Sequence, residues 1–247
     1  MKKLLRHTMF FLEGFLLLNL IWYAAHLILH TPVVPSPLDV YRQFGDVIAG
    51  GIWIHILFSL KRIGLGLLLS LLVGVPVGML MAYSRHAAKF LHPLVYFSYP
   101  IPKTALLPIA MLLLGMRDGS KVAIIFLIIV FQVIVAVRDG IQNIDPSFYL
   151  VTASTGASHS HIIRHVTLPA ILPELLTSTR ISLGTAVSVL FFVEAYGTHW
   201  GMGYYIVDAW SRIDYTDMYS GILVISIVGF ALFVAVDLLA EKLCAWK

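Results

Sequence analysis

The residues of this chain that could do chemistry are few and far apart. Lys103 stands among Pro93, Pro100, Pro102 and Pro108 as the only charge in an apolar stretch from Pro93 to Met116. A cation set there has two uses. It can attract an anion crossing an apolar layer, or it can pair with an acid or a carbonyl at a proline kink. Ser182, Thr185 and Ser188 space three hydroxyls at helical intervals, which suits either a polar lining or plain close packing. With Tyr99 and Lys103 they form the candidate pathway set. Glu194, Asp208 and Asp217 are acids near the ends of apolar runs, suited to an outer gate or a protein contact, or to capping and packing. No nucleophile–base pair stands out, and no His-Glu-x-x-His or Gly-x-x-x-x-Gly-Lys-Ser/Thr stretch occurs. The ten histidines are scattered, so no metal site and no catalytic residue are expected. A single cysteine, Cys244, leaves no internal disulfide.

The elements that must hold these residues follow from composition. The chain has 247 residues, 59% hydrophobic and 12% charged, against about 25% charged in a soluble domain. Mean hydropathy is +0.89. Such a chain cannot cover a water-facing surface, which excludes a soluble enzyme, a nucleic-acid module and a disordered scaffold. At about 20 apolar residues per span, an all-α integral membrane protein results. Six spans are expected, near residues 9–29, 63–83, 93–116, 121–138, 173–197 and 218–237, forming one transmembrane domain over 1–247. The opening Met1-Lys2-Lys3 and apolar run read as a retained span, because the run from Met9 to Leu29 exceeds a signal core and lacks a clear cleavage site.

Six spans put both termini on one side. Nine basic residues then lie inside (Lys2, Lys3, Arg6, Arg85, Lys89, Arg138, Arg164, Lys242, Lys247) against six outside (Arg42, Lys61, Arg62, Arg117, Lys121, Arg212). That bias favours cytoplasmic termini in a multi-pass cell-membrane protein. Lys103, ten residues from Pro93, would lie about 15 Å deep on a continuous helix and would be the one central charge. Glu194, twenty-one residues past Pro173, would reach the outer interface, about 32 Å away.

Two non-spanning segments stand out. In the outer segment 30–62, Ser36 followed by Pro37 reads as a helix N-cap with proline in the first turn. The inner loop 139–172 is long for a compact domain, and such loops are usually functional. It reads as a short helix from Pro146, a turn at Gly156, a second short helix and a stop at Pro169. That hairpin is either a knob for a partner or an ordinary interfacial loop.

This loop resembles that of the permease subunits of ATP-binding-cassette importers. Their motif is Glu-Ala-Ala, three residues, Gly, nine residues, Ile, one residue, Leu-Pro. Gly156, Val166, Leu168 and Pro169 match its spacing, whereas Leu150, Val151 and Thr152 stand where Glu-Ala-Ala would be. The acidic residue is therefore missing. Further blocks after residue 33 are similar to the branch importing nitrate, taurine, alkanesulfonates and pyrimidine precursors. They are Pro35-Ser36-Pro37, the run from His55 to Arg62, Gly74-Val75-Pro76-Val77-Gly78, the run from Pro100 to Pro108, Glu194 with Gly201-Met202-Gly203-Tyr204, and Asp217 with Gly221-Ile222-Leu223.

The resemblance implies a type I importer permease fold, used as a homodimer that moves a small solute. Cytoplasmic ATPase subunits would carry ATP and Mg, and an extracytoplasmic binding protein would deliver the solute. No cofactor would belong to this chain, and no nucleic acid is a partner. The ATPase would dock on Tyr149, Leu150, Thr152, Ala153, Gly156, Ala157, Ser158, Ile163, Arg164, Leu168 and Pro169. A self-contained secondary transporter is the alternative, and it calls for an internal repeat that the sequence does not display.

Overall fold

The computed structural model describes residues 2–246, with side chains from Glu13 onward. Lys2, Lys3, Arg6, His7 and Lys247, used above for orientation or the histidine census, have side chains outside the described residues. The chain is helical throughout, with no strand among the described residues. In order the helices are α1 (Lys2–Leu29), α2 (Pro37–Ala49), α3 (Ile52–Tyr83), α4 (Arg85–Ser98), α5 (Leu107–Leu114), α6 (Asp118–Gln142), α7 (Pro146–Ser154), α8 (His159–Ile162), α9 (Leu168–Glu194), α10 (Met202–Ser211) and α11 (Tyr215–Leu243).

Among the described residues α3, α6, α9 with its lead-in from His159, and α11 are each long and apolar enough to cross a membrane. A fifth span results if α4 and the segment Lys103–Leu114 are joined across their 88° bend. The described apolar part of α1, Glu13–Leu29, is shorter. It is docked, however. Trp22 donates to the Pro35 carbonyl at 3.0 Å and stacks on Tyr219 of α11 at 5.3 Å, and Asn19 accepts from Tyr41 of α2 at 2.6 Å. The polar Asn19 inside the first apolar run is thereby accounted for.

The centre of the bundle is α6. Ile125, Ile129, Val133 and Val137 recur every four residues and are buried against α3 and α9. On the α3 side Gly66, Ser70, Gly74 and Gly78 form a stripe of small residues at the same interval, so the two backbones approach closely. Ser70 donates across the seam to the Phe126 carbonyl at 3.2 Å.

Several helices differ from the spans expected. Ser36 caps α2 as anticipated, accepting from the Asp39 amide. The outer segment does not continue to residue 62, because Gly51, with φ of +92°, starts α3 at Ile52. Lys61 and Arg62 therefore lie inside the helix, tolerated because both are ion-paired. The helix expected over 93–116 is broken between Ser98 and Lys103, since Pro100 and Pro102 each remove an amide donor. Pro169 does not end a helix. A five-residue π-turn over Ile163–Thr167 precedes it, and Pro169 falls in the first turn of α9, where its missing N–H costs nothing. The path from His159 to Glu194 is one helical run of 36 residues.

Candidate functional site

The bundle carries three polar assemblies: one around Gly156, one at the break beside Lys103, and one around Glu194.

At the first, Asp145 caps α7 by accepting from the Ser147 amide at 2.8 Å. That hydrogen bond holds its carboxyl below the usual carboxylate range. Ser158 caps α8 in the same manner. Between them Gly156 takes φ of +76°, a conformation that disfavours any side chain. The hairpin is tied to the bundle through Thr167, which is fully buried and lies 2.5 Å from the Tyr83 hydroxyl and 3.4 Å from that of Tyr149. His159 meets the Tyr83 ring edge-on at 5.6 Å. The outward side of α7 is apolar, with Phe148, Leu150 and Val151 exposed. Thr152 donates back to the Phe148 carbonyl, and Ala153, Ser158, Arg164 and Leu168 are exposed. Ala157, Ile163 and Pro169 are half-buried. All the residues expected in the docking loop thus fall on one continuous hairpin and the start of α9.

At the break, Lys103 donates to the carbonyl of Ser98, and to that of Tyr99 at 3.3 Å. Its ammonium also lies 5.7 Å from the centre of the Phe131 ring. The structure thus gives Lys103 the second of its two expected uses, satisfying carbonyls at the end of α4. Depth cannot be counted along a continuous helix here, because the chain turns by 88°. Tyr99 is exposed beside it. Ser182 is fully buried and donates to Gln132 at 2.7 Å, a packing contact between α6 and α9. Thr185 and Ser188 bond the carbonyls of Ile181 and Gly184 in their own helix. Tyr99 and Lys103 form one cluster and Ser182 another, on the adjacent faces of α6 marked by Phe131 and Gln132.

The third assembly is the most elaborate. Glu194 has no exposed surface. It accepts from Arg62 at 2.6 Å, from Ser59 at 2.8 Å and from the Gly203 amide at 2.9 Å. Arg62 spends its other donors on Asp118 at 2.9 Å, the Trp200 carbonyl at 2.7 Å and Thr198 at 3.1 Å. Lys61 pairs with the same Asp118 at 2.7 Å. Lys121, fully buried, donates to the Met116 and Gly197 carbonyls. Gly203 must be glycine, because a Cβ would lie 2.5 Å from the Phe191 carbonyl oxygen. This network joins α3, α6, α9 and α10. Glu194 is therefore a buried junction, and in this conformation it offers no surface to a second protein. Asp208 and Asp217 both pair with Arg212 at 3.0 Å. Asp217 also accepts from Tyr205, whose hydroxyl is pushed up from its ordinary range first by burial and then by that carboxylate.

One charged pair was not singled out from sequence. Arg180 of α9 bonds both oxygens of Asp237 of α11, at 3.1 and 3.2 Å, and both side chains are about half exposed. Lys103 is thus not the only charge within the spans. An arginine inside an apolar run, opposite an acid at the end of the next, was the available signal. Asp237→Asn leaves Arg180 uncompensated, which should lower the amount of folded chain in membranes about threefold or more. The exchange Arg180→Asp with Asp237→Arg should restore it. Quantifying the chain in isolated membranes checks both.

The chain is similar to known proteins over most of its length. Residues 74–244 match the family described as binding-protein-dependent transport system inner membrane component. The taurine transport system permease protein TauC of Escherichia coli (strain K12) is 32% identical over 238 residues, covering 93% of this chain and 86% of that protein. The formylaminopyrimidine transport permease protein ThiX of Halalkalibacterium halodurans is 28% identical over 234 residues, covering 94% of each. A bacterial alginate ABC transporter, solved in complex with alginate pentasaccharide-bound periplasmic protein, includes a chain of the same fold. Its TM-score is 0.66 at 17% identity, with 95% of both chains covered. By the extent of these matches, the chain belongs to the family of inner-membrane permease components of binding-protein-dependent transport systems.

Proposed function

We propose that this chain forms, as a pair of identical six-span subunits with cytoplasmic termini, the passage of an ATP-driven importer for a small solute. Cytoplasmic ATPase subunits dock at the Gly156 end, and an extracytoplasmic binding protein delivers the solute at the Glu194 end. ATP and Mg belong to the ATPase. A relative that carries taurine favours a small anion of the sulfonate type, and one that carries formylaminopyrimidine keeps a pyrimidine precursor as the other solute class.

The observation that carries this reading is the construction of the hairpin. Large apolar side chains on α7 stand exposed, and α8 runs without interruption through the π-turn into α9. A push on α7 is therefore delivered along α9 toward Glu194, while the contact of Thr167 with Tyr83 delivers it to α3. Rigid elements with shared contacts are what coupling between distant sites requires.

Leu150 occupies the place of the family's acidic residue, so docking here rests on apolar contact and not on an ion pair. Phe148→Glu with Leu150→Glu should leave the chain in the membrane but cut co-purifying ATPase at least tenfold, together with solute uptake. The unmodified complex should survive about 0.5 M salt, because screening weakens exposed ion pairs and not apolar contacts. Undiminished ATPase recovery with the double variant would place the docking surface elsewhere.

A further inference from the structure

The Glu194 network borders a recess of about 450 Å³, walled by the α3 side chains Phe58, Lys61 and Arg62, by Arg117 and Asp118 at the start of α6, and by the turn carrying His199 and Trp200. Its charges do not balance. Four bases gather here (Lys61, Arg62, Arg117 and Lys121) with two acids, Asp118 and Glu194. Arg62 is committed to Glu194, and Lys61 to Asp118. Lys121 is buried with only carbonyl oxygens for partners. Arg117 is exposed at the recess, and among the described residues no carboxylate pairs with it. Two positive charges are thus left over beside a partly enclosed cavity. Arg117 lines the recess with no carboxylate of its own, and an anion entering there supplies one.

The wall beside these bases is aromatic. Phe58 and Trp200 stack with ring centres 6.3 Å apart, and the Arg62 guanidinium lies 5.6 Å from the Phe58 ring. The recess therefore offers a flat apolar face next to a basic rim, in a volume suited to a small molecule. We propose that it binds a small organic anion, a sulfonate or carboxylate with a short carbon chain, as a subsite separate from the Tyr99–Lys103 cluster. Arg117 holds the acid group, and Phe58 and Trp200 cover the carbon chain. Lys121 contributes field and no contact. Rigid preorganisation of Arg62 by its carbonyl, hydroxyl and carboxylate partners keeps the aromatic wall in place before the ligand arrives. The proposal rests on the importer reading only for the solute class it names.

The test uses the full chain in lipid nanodiscs, without ATPase or binding protein, and 1-butanesulfonate as probe. Calorimetry is expected to give saturable binding, and the tryptophan emission change is expected to vanish in Trp200→Phe. Arg117→Gln should weaken binding at least about tenfold, and Arg117→Lys should stay within about threefold of the unmodified chain. Neutral 1-butanol should not compete. Unchanged affinity in Arg117→Gln, competition by 1-butanol, or inorganic sulfate binding as tightly as the sulfonate would each overturn the site. Arg117 is exposed, so its substitution does not threaten the fold. Failure here leaves ATPase co-purification intact, whereas failure of the importer reading shows in co-purification and leaves this binding unaffected.

Discussion

Glu194→Ala is expected to destabilise the chain by about 3–5 kcal/mol, the usual result of removing one member of a buried ion pair. The loss arises from what stays behind. Arg62, 2% exposed, would keep its charge in the interior with Asp118 as its sole carboxylate. Ser59 would lose an acceptor while still receiving from the Met202 amide, and the Gly203 amide would be left with no partner. Total stabilities of about 5–15 kcal/mol make this a large fraction. The measurement is thermal unfolding of the purified chain, together with the amount recovered from membranes. Replacing both partners, Glu194→Ala with Arg62→Met, should cost less than Glu194→Ala alone, because no charge is then stranded. An alanine variant that melts with the unmodified chain would mean that the pair does not hold α3 to α9 and α10.

The class of fold and the helix–turn–helix outline of the 139–172 loop were legible, because both rest on local signals. The helix from Pro146, the turn at Gly156 and the second short helix formed as expected, with Asp145 and Ser158 as their caps, whereas Pro169 opens α9 instead of stopping a helix. The Glu194 junction was not legible as a pair: Glu194 stood as a gate, contact, capping or packing acid, and Arg62 as an outer basic residue. Arg62 and Glu194 are 132 positions apart, and nothing local says that they meet. The stronger clue was physical: neither can remain in an apolar helix uncompensated, so a basic and an acidic residue at the same end of two spans were candidates for each other. Ser182 left two readings open, a polar lining and close packing, and its bond to Gln132 answers to the second. A hydroxyl on a helix pattern gives no sign of which neighbour it faces, and its partner Gln132 is the single polar residue between Val122 and Val137. Arg180 and Asp237 were missed because one was counted within a span and the other as a span boundary.

Gly78→Ala is the substitution from which the second largest effect is expected, although it adds only one methyl group. A Cβ at Gly78 would lie 2.7 Å from the Ile134 carbonyl oxygen and 2.8 Å from the Val137 Cβ, so α3 and α6 would have to separate. Overpacking of this kind typically costs about 1–3 kcal/mol, and more where backbone must move. The other glycines of the helix provide internal controls. Gly64 has nothing within 4 Å, and Gly64→Ala should be neutral or stabilising by up to about 1 kcal/mol through helix propensity. Gly66 meets Ile125 Cγ2 at 2.5 Å and Cβ at 2.9 Å, so Ile125→Ala, which removes Cγ2 and keeps Cβ, should relieve Gly66→Ala only in part. Gly78→Ala should not be rescued by Val137→Ala, because the clash with the Ile134 carbonyl remains. Thermal unfolding of the three single and two paired variants checks the order. The consequence reaches function through position. Tyr83, which holds Thr167 of the hairpin, lies five residues beyond Gly78 on the same helix. A displacement at Gly78 is therefore transmitted to the hairpin's anchor. Gly78→Ala should lower solute uptake per assembled complex even where enough chain folds to recruit the ATPase, whereas Gly66→Ala, seventeen residues from that anchor, should reduce the amount of complex and leave uptake per complex unchanged.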